Sequence, residues 1–199
     1  MRNIAIAAAL ILLIAAFVAV AQQSDAAPSL DGMAVPTYTA DGDLLRPDGY
    51  RTWVFVGASL GLSYNEDAAE REGPGAFTNV YIQPEAYRYF METGEFPEGT
   101  MLPMDVFRPG SRESINQAGY FEKDFLGMEV AVKDSERYPE GWAYLSFRGR
   151  SGGLRESASA FPKDRCYDCH AEHAATDNVF TQFYPVLQRE EIEHLASDR

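Results

Sequence analysis

Residues 128–133 alternate between apolar and polar positions, with Ala131 the one exception. Met128, Val130 and Val132 fall on one side of an extended chain, and Glu129, Ala131 and Lys133 fall on the other. This is the signature of a strand whose two faces meet different surroundings. Residues 142–148 follow after a turn around Pro139-Glu140-Gly141, so the two runs predict a hairpin. Upstream, residues 52–59 (Trp53, Val54, Phe55, Val56) and 77–83 (Val80, Tyr81, Ile82) are rich in β-formers and predict two strands. Residues 101–107 predict another, and Pro103 within it argues for an edge position or a bulge. Pro84 opens a helix, because its missing N–H is not needed in the first turn. Tyr87, Phe90 and Met91 recur at helical spacing to form its apolar face, and Gly94 ends it. The Gly-rich, charged stretch 62–76 reads as a loop and residues 34–50 as irregular chain. The chain after residue 166 reads as largely helical, with a short charged helix at 188–195. The fold class is therefore α+β: mainly an antiparallel β-sheet with flanking helices, not an all-helical bundle.

The N-terminus divides off from this pattern. Arg2 precedes an apolar run over residues 4–21, and Ala19-Val20-Ala21 has the small-x-small form of a signal-peptidase site. Cleavage after Ala21 and export to an oxidising compartment are expected, with a retained membrane anchor as the alternative. The predicted division is a signal peptide at 1–21, a flexible leader at 22–42, and a single domain at 43–199. The composition, 46% hydrophobic and 13% aromatic, is ample for one core. The formal charge of −13 excludes a nucleic-acid surface, which needs concentrated Lys and Arg. It suits either a solvated exported surface or steering of a basic redox partner protein.

The chain has two cysteines, and both belong to Cys166-Tyr167-Asp168-Cys169-His170. Cys-x-x-Cys-His is the attachment signature of a c-type haem. Two thiols at this spacing form thioethers to the haem vinyl groups, and His170 is carried to the iron as proximal ligand. The competing readings are a disulfide, a redox pair and half a zinc site. A redox pair should follow a strand in an α/β chain, and zinc would have to draw on His170 and His173 within a cramped segment. One covalently bound haem c is the expected cofactor. Of the other histidines, His173 is three residues past the proximal ligand and cannot easily reach the opposite haem face. His194 lies in a charged helix. Met91, Met101, Met104 and Met128 are the available methionines in core elements. An open or apolar-capped sixth position is the leading expectation.

Several separated segments now point the same way. They are Tyr50-Arg-Thr-Trp-Val-Phe-Val-Gly57, Asn79-Val-Tyr-Ile-Gln-Pro-Glu-Ala-Tyr87, Thr93-Gly-Glu-Phe-Pro-Glu-Gly-Thr100, Met128-Glu-Val-Ala-Val-Lys-Asp-Ser-Glu-Arg137, and Cys166-Tyr-Asp-Cys-His170 with Val179-Phe-Thr-Gln-Phe-Tyr-Pro185. In this order they resemble the cytochrome P460 family, whose fold includes the β-sheet cytochromes c′. The resemblance runs from about residue 43 to 187. It implies a mostly antiparallel β-domain, one c-type haem and a homodimer. It also implies either hydroxylamine oxidation with a lysine-crosslinked haem or nitric oxide binding with an uncrosslinked one. At the crosslinking position this chain carries Met104, and no lysine lies between Arg88 and Lys123. A thioether cannot form the carbon–nitrogen bond an amine forms. Lys133 belongs to another family segment. Glu129 falls where the oxidases carry a pocket carboxylate, with a solvated strand residue as the alternative. The family's pocket arginine has no clean counterpart: Thr78 stands near its place, flanked by Arg71 and Arg88. Phe161 is a candidate cap for the distal face or a core residue.

The expected function is an exported c-type haem protein that binds nitric oxide or another small nitrogen ligand, with possible electron transfer. The alternatives are a hydroxylamine-oxidising enzyme and a His–Met electron carrier.

Overall fold

The computed structural model describes residues 27–64, 70, 72–149 and 153–188. Five strands form one antiparallel meander: β2 (Val54–Leu60), β3 (Phe77–Ile82), β4 (Met101–Gly110), β5 (Phe121–Lys133) and β6 (Trp142–Ser146), neighbours in that order. A two-stranded sheet pairs β1 (Leu44–Leu45) with β7 (Ser157–Ala158). Helix α1 (Pro84–Thr93) joins β3 to β4, and helix α2 (Tyr167–His173) carries the Cys-x-x-Cys-His motif. The α+β class is as the patterning predicts, and so are the hairpin β5–β6 and the helix opened by Pro84. Gly94 closes α1 in the left-handed conformation, φ 83°. No helix among the described residues is long and apolar enough to cross a membrane. The apolar run at 4–21, the candidate cleavage site and most of the charged run at 188–195 lie outside the described residues.

The alternation in β5 separates two cores. Met128, Val130 and Val132 are buried on one face, with Leu44, Tyr50, Met101, Leu145, Phe147 and Ala158. On the other face, Val56, Val80, Leu102 and Tyr144 pack with Ala86 and Phe90 of α1 and with Phe96 and Trp142. Tyr87 and Met91 press against this second core without being fully buried. Phe90 stacks on Phe96 at 4.1 Å between ring centroids, and Phe96 meets Trp142 edge-on at 5.9 Å. Over residues 127–133 both faces of β5 are therefore covered.

Three elements differ from the sequence reading. Pro103 is neither at an edge nor at a bulge. It sits in β4, the middle strand, opposite Val130. The β3–β4 ladder ends at Val80↔Met104, one residue short of the proline. Met101 N–H, on the same side of the strand as the proline nitrogen, is met by a side chain, Gln83 Oε1, at 2.8 Å. The missing N–H thus falls where no strand partner exists. Secondly, residues 34–50 are not wholly irregular: Leu44 is fully buried in β1, and Tyr38 bridges to it. Packing against the sheet begins earlier still, at Met33. Thirdly, the described C-terminal part is not largely helical. Its only α-helix among the described residues is α2, followed by two single 3₁₀ turns, Thr181–Phe183 and Pro185–Leu187.

Gln83 ties the β3–α1–β4 connection together. Its side chain is fully buried; Nε2 donates to the carbonyls of Ala34 (3.1 Å) and Gly99 (2.8 Å), and Oε1 accepts from Met101 N–H. Replacing it by Met keeps the volume but strips three backbone groups of their partner. At about 1–3 kcal/mol for each group left buried and unpaired, Gln83→Met should lower the urea midpoint by an amount worth at least ~3 kcal/mol. A loss below 1 kcal/mol would show that water replaces the amide.

Candidate functional site

The second core is incomplete between the sheet and the C-terminal segment, leaving a cavity of about 310 Å³. Its floor is the sheet itself. The registers Gly57↔Val80, Val80↔Met104 and Met104↔Glu129 align four residues across four strands. The next row is Leu102↔Ala131↔Tyr144. Val80, Met104, Glu129, Leu102, Ala131 and Tyr144 all line the cavity. The opposite wall comes from Phe161, Arg165, Cys166, Cys169, His170, Phe180, Tyr184 and Leu187. Gly57 lets this wall close: a Cβ there would stand 2.8 Å from Tyr184 Cδ1, inside any normal contact. Exposed Tyr64 lies at the cavity as well.

His170 is held in one tautomer. Its Nδ1 lies 2.8 Å from the carbonyl oxygen of Asn178, which is an acceptor, so Nδ1 carries the proton and Nε2 keeps the lone pair. Burial holds the imidazole below its ordinary range, against the opposing effect of that carbonyl, so the ring is neutral at neutral pH. Tyr144 and Phe180 flank it, with centroids at 4.2 and 4.4 Å. Cys166 and Cys169 are both free thiols and half-buried. Burial first, and Glu129 second, push the Cys166 thiol up, with Arg165 opposing.

Glu129, the candidate catalytic carboxylate, faces the cavity rather than solvent. Burial raises its carboxyl above the ordinary value, while Arg148 and Arg165 pull it down. Met104 stands directly across the ladder from it. Phe161 lines the cavity, is tied to β6 by its N–H to Tyr144 O at 2.8 Å, and carries the Arg165 guanidinium 3.9 Å above its ring. The structure therefore brings all six candidate site residues (Met104, Glu129, Phe161, Cys166, Cys169 and His170) to one cavity.

Other candidates lie elsewhere. Met101 and Met128 are buried on the far face of the sheet, and Met91 packs from α1 against the second core, which leaves Met104 as the cavity's methionine. His173 is mostly exposed beside Glu172, and His194 is outside the described residues. Arg88 pairs with Glu85 at the surface, Thr78 is bonded to Ser59, and Arg71 is outside the described residues. None of the three lysines lines the cavity. Lys123 pairs with Glu113, and Lys163 with Glu140. Lys133 donates to Asp177 and to Phe96 O, at 2.7 Å each. Sequence reasoning missed Tyr64, Tyr144, Arg165 and Tyr184. Arg165 had the one available signal, its place immediately before Cys166.

The donor set fits a haem. Two thiols share one wall, an imidazole presents a free Nε2, and the remaining lining is mostly apolar and aromatic, as a porphyrin requires. It does not fit zinc: among the described residues no three His, Cys, Asp or Glu side chains converge as a metal-ion site. No curated protein matches the sequence significantly. The sequence model of the Cytochrome P460 family, in contrast, matches residues 47–181, a span running from just before β2 through α2 to the turn that follows His170. With most of the chain matched and the cavity assembled around His170, the protein belongs to the cytochrome P460 family, a class of haem-binding, redox-active proteins.

Proposed function

We propose that this is an exported c-type haem protein, homodimeric, that binds nitric oxide or a similar small nitrogen ligand and exchanges electrons with a partner protein. The observation that carries the reading is the cavity's lining: it offers His170 and two thiols, and Met104 in place of any amine. Haem iron, when bound, supplies the coordination site and the electron. The chain's residues do the rest. Cys166 and Cys169 tether the group, and His170 Nε2 ligates it. Phe161, Leu102 and Val80 keep the pocket apolar, which favours small neutral ligands over water. Glu129 can hold or accept a proton at its carboxylate. That last property supports the second reading, hydroxylamine oxidation, which releases protons from nitrogen. Met104 on the cavity floor supports a third, a His–Met electron carrier.

Titration of the reduced protein with nitric oxide, followed by absorption spectra, should give a stoichiometric complex, while hydroxylamine with an acceptor dye should turn over slowly. Rapid hydroxylamine oxidation would make the enzyme reading the better one. A low-spin ferrous spectrum whose ligand binding accelerates in Met104→Ala would favour the carrier.

Acid–acetone extraction should leave the haem on the chain, and the intact mass should equal polypeptide plus one haem. Peptide mapping should find it on the 166–169 segment alone. Haem released into the solvent, or a peptide joining haem to Lys123, Lys133 or Lys163, would refute covalent haem c or the absence of a crosslink respectively.

Glu129 gives a pH test. Its folded-state carboxyl is raised above the unfolded value, so between the two values the folded chain binds the extra proton. Stability must therefore fall as pH rises through that window. Glu129→Gln should raise Tm at pH 7, and the gain should disappear below the ordinary carboxylate range near about 4. A constant difference across pH 4–8 would mean that Glu129 is not desolvated.

A further inference from the structure

The Asn178 carbonyl serves two donors. His170 Nδ1–H lies 2.8 Å from it, and Tyr144 O–H lies 2.9 Å from it. Tyr144 is buried in β6, and its ring packs against the same imidazole. The carbonyl is held in place by the turn that carries it. Asp177 and Asn178 are both left-handed, φ 43° and 59°, between Thr176 and Val179, whose backbones pair. Two consecutive residues in that region form a tight turn that needs an anchor. Asp177 supplies it: Oδ1 accepts from Trp142 Nε1 at 3.1 Å and Oδ2 from Lys133 Nζ at 2.7 Å. Lys133 and Trp142 are direct partners across β5 and β6, so the anchor is the sheet edge itself.

We propose that these groups are opposed positioning residues for His170. Tyr144 weakens the bond from His170 Nδ1–H to Asn178 O by sharing its acceptor, and the Lys133–Asp177 pair strengthens it by fixing the carbonyl. The physical link is charge. An oxygen already accepting from a phenol has less negative charge to offer the imidazole. A weaker bond at Nδ1 makes Nε2 a poorer electron donor. A hydrogen bond at the far nitrogen of a ligating imidazole tunes haem iron. The proposal rests on the haem reading of the site and adds to it the residues that set the proximal ligand's strength.

The test uses the full holoprotein with its haem verified by intact mass. Tyr144→Phe keeps the ring and deletes the competing donor. The iron–histidine stretching frequency of the ferrous protein should rise, and the reduction potential should fall. At a fixed redox poise the ferric-to-ferrous ratio should increase about threefold, as expected from roughly half a typical hydrogen bond. Asp177→Asn retains tolerance of the left-handed backbone but ends the ion pair with Lys133. It should shift both readouts the other way, and Lys133→Met, which leaves the turn's own residues intact, should match it. A merely structural role would lower stability in all three and move the spectra in one direction. Unmoved readouts, or shifts of the same sign in Tyr144→Phe and Asp177→Asn, overturn the proposal alone. A wild-type chain without thioether haem overturns the reading of the site and this proposal with it.

Discussion

The register between β4 and β5 governs everything the cavity contains. Side chains alternate along a strand, so a slip of one residue would exchange the two faces. Glu129 and Ala131 would then enter the core that now holds Met128, Val130 and Val132, and those three would fill the cavity. The long pairing from Met101↔Val132 to Gly110↔Phe121 fixes the register, and its irregularities fall at Val106/Phe107 and Arg108/Pro109, beyond the cavity floor. The floor is therefore built on the regular part of the ladder. Buried apolar side chains on the far face oppose any slip, since moving them would bring Glu129 and Lys133 into an apolar core.

Electrostatics follow from the same placement. A carboxylate on the floor of an apolar cavity is costly, and the chain sets two guanidinium groups, Arg148 and Arg165, near enough to lower that cost. Arg165 is exposed and stacked on Phe161, so its charge reaches the cavity from the rim without being buried in it.

The parts legible in the sequence were those written contiguously. The alternation of 128–133, the Pro84 start, the Gly94 stop and the Cys-x-x-Cys-His motif each carry their physics within a few residues. Pro103 misled because the local rule concerns missing ladder partners, and whether a partner exists depends on where the pairing between β3 and β4 ends. The C-terminal segment read as helix because Asp177-Asn178 is a turn only when its left-handed backbone is anchored, and the anchors, Lys133 and Trp142, are more than thirty residues away. Tyr144 and Tyr184 reach the cavity only through tertiary packing, and their sequence neighbourhoods look like ordinary core. Glu129 could be assigned a strand face, but not what covered that face.

The cavity's two walls come from different stretches of chain. The sheet wall is complete by residue 146, in a meander where each strand pairs with its neighbour in sequence. The opposite wall begins only at Phe161 and contains both thiols. Strand pairing of this sequential kind brings together residues that are near in the chain. The topology thus permits the sheet to form while the Cys-x-x-Cys-His segment is still an open strand of polypeptide. Covalent loading of a prosthetic group demands access to both sulfurs, and burial in the finished fold restricts it. On the haem reading proposed above, this chain order would let attachment precede closure: the thiol-bearing segment follows the sheet in the chain, and its docking would close the cavity against a floor already built.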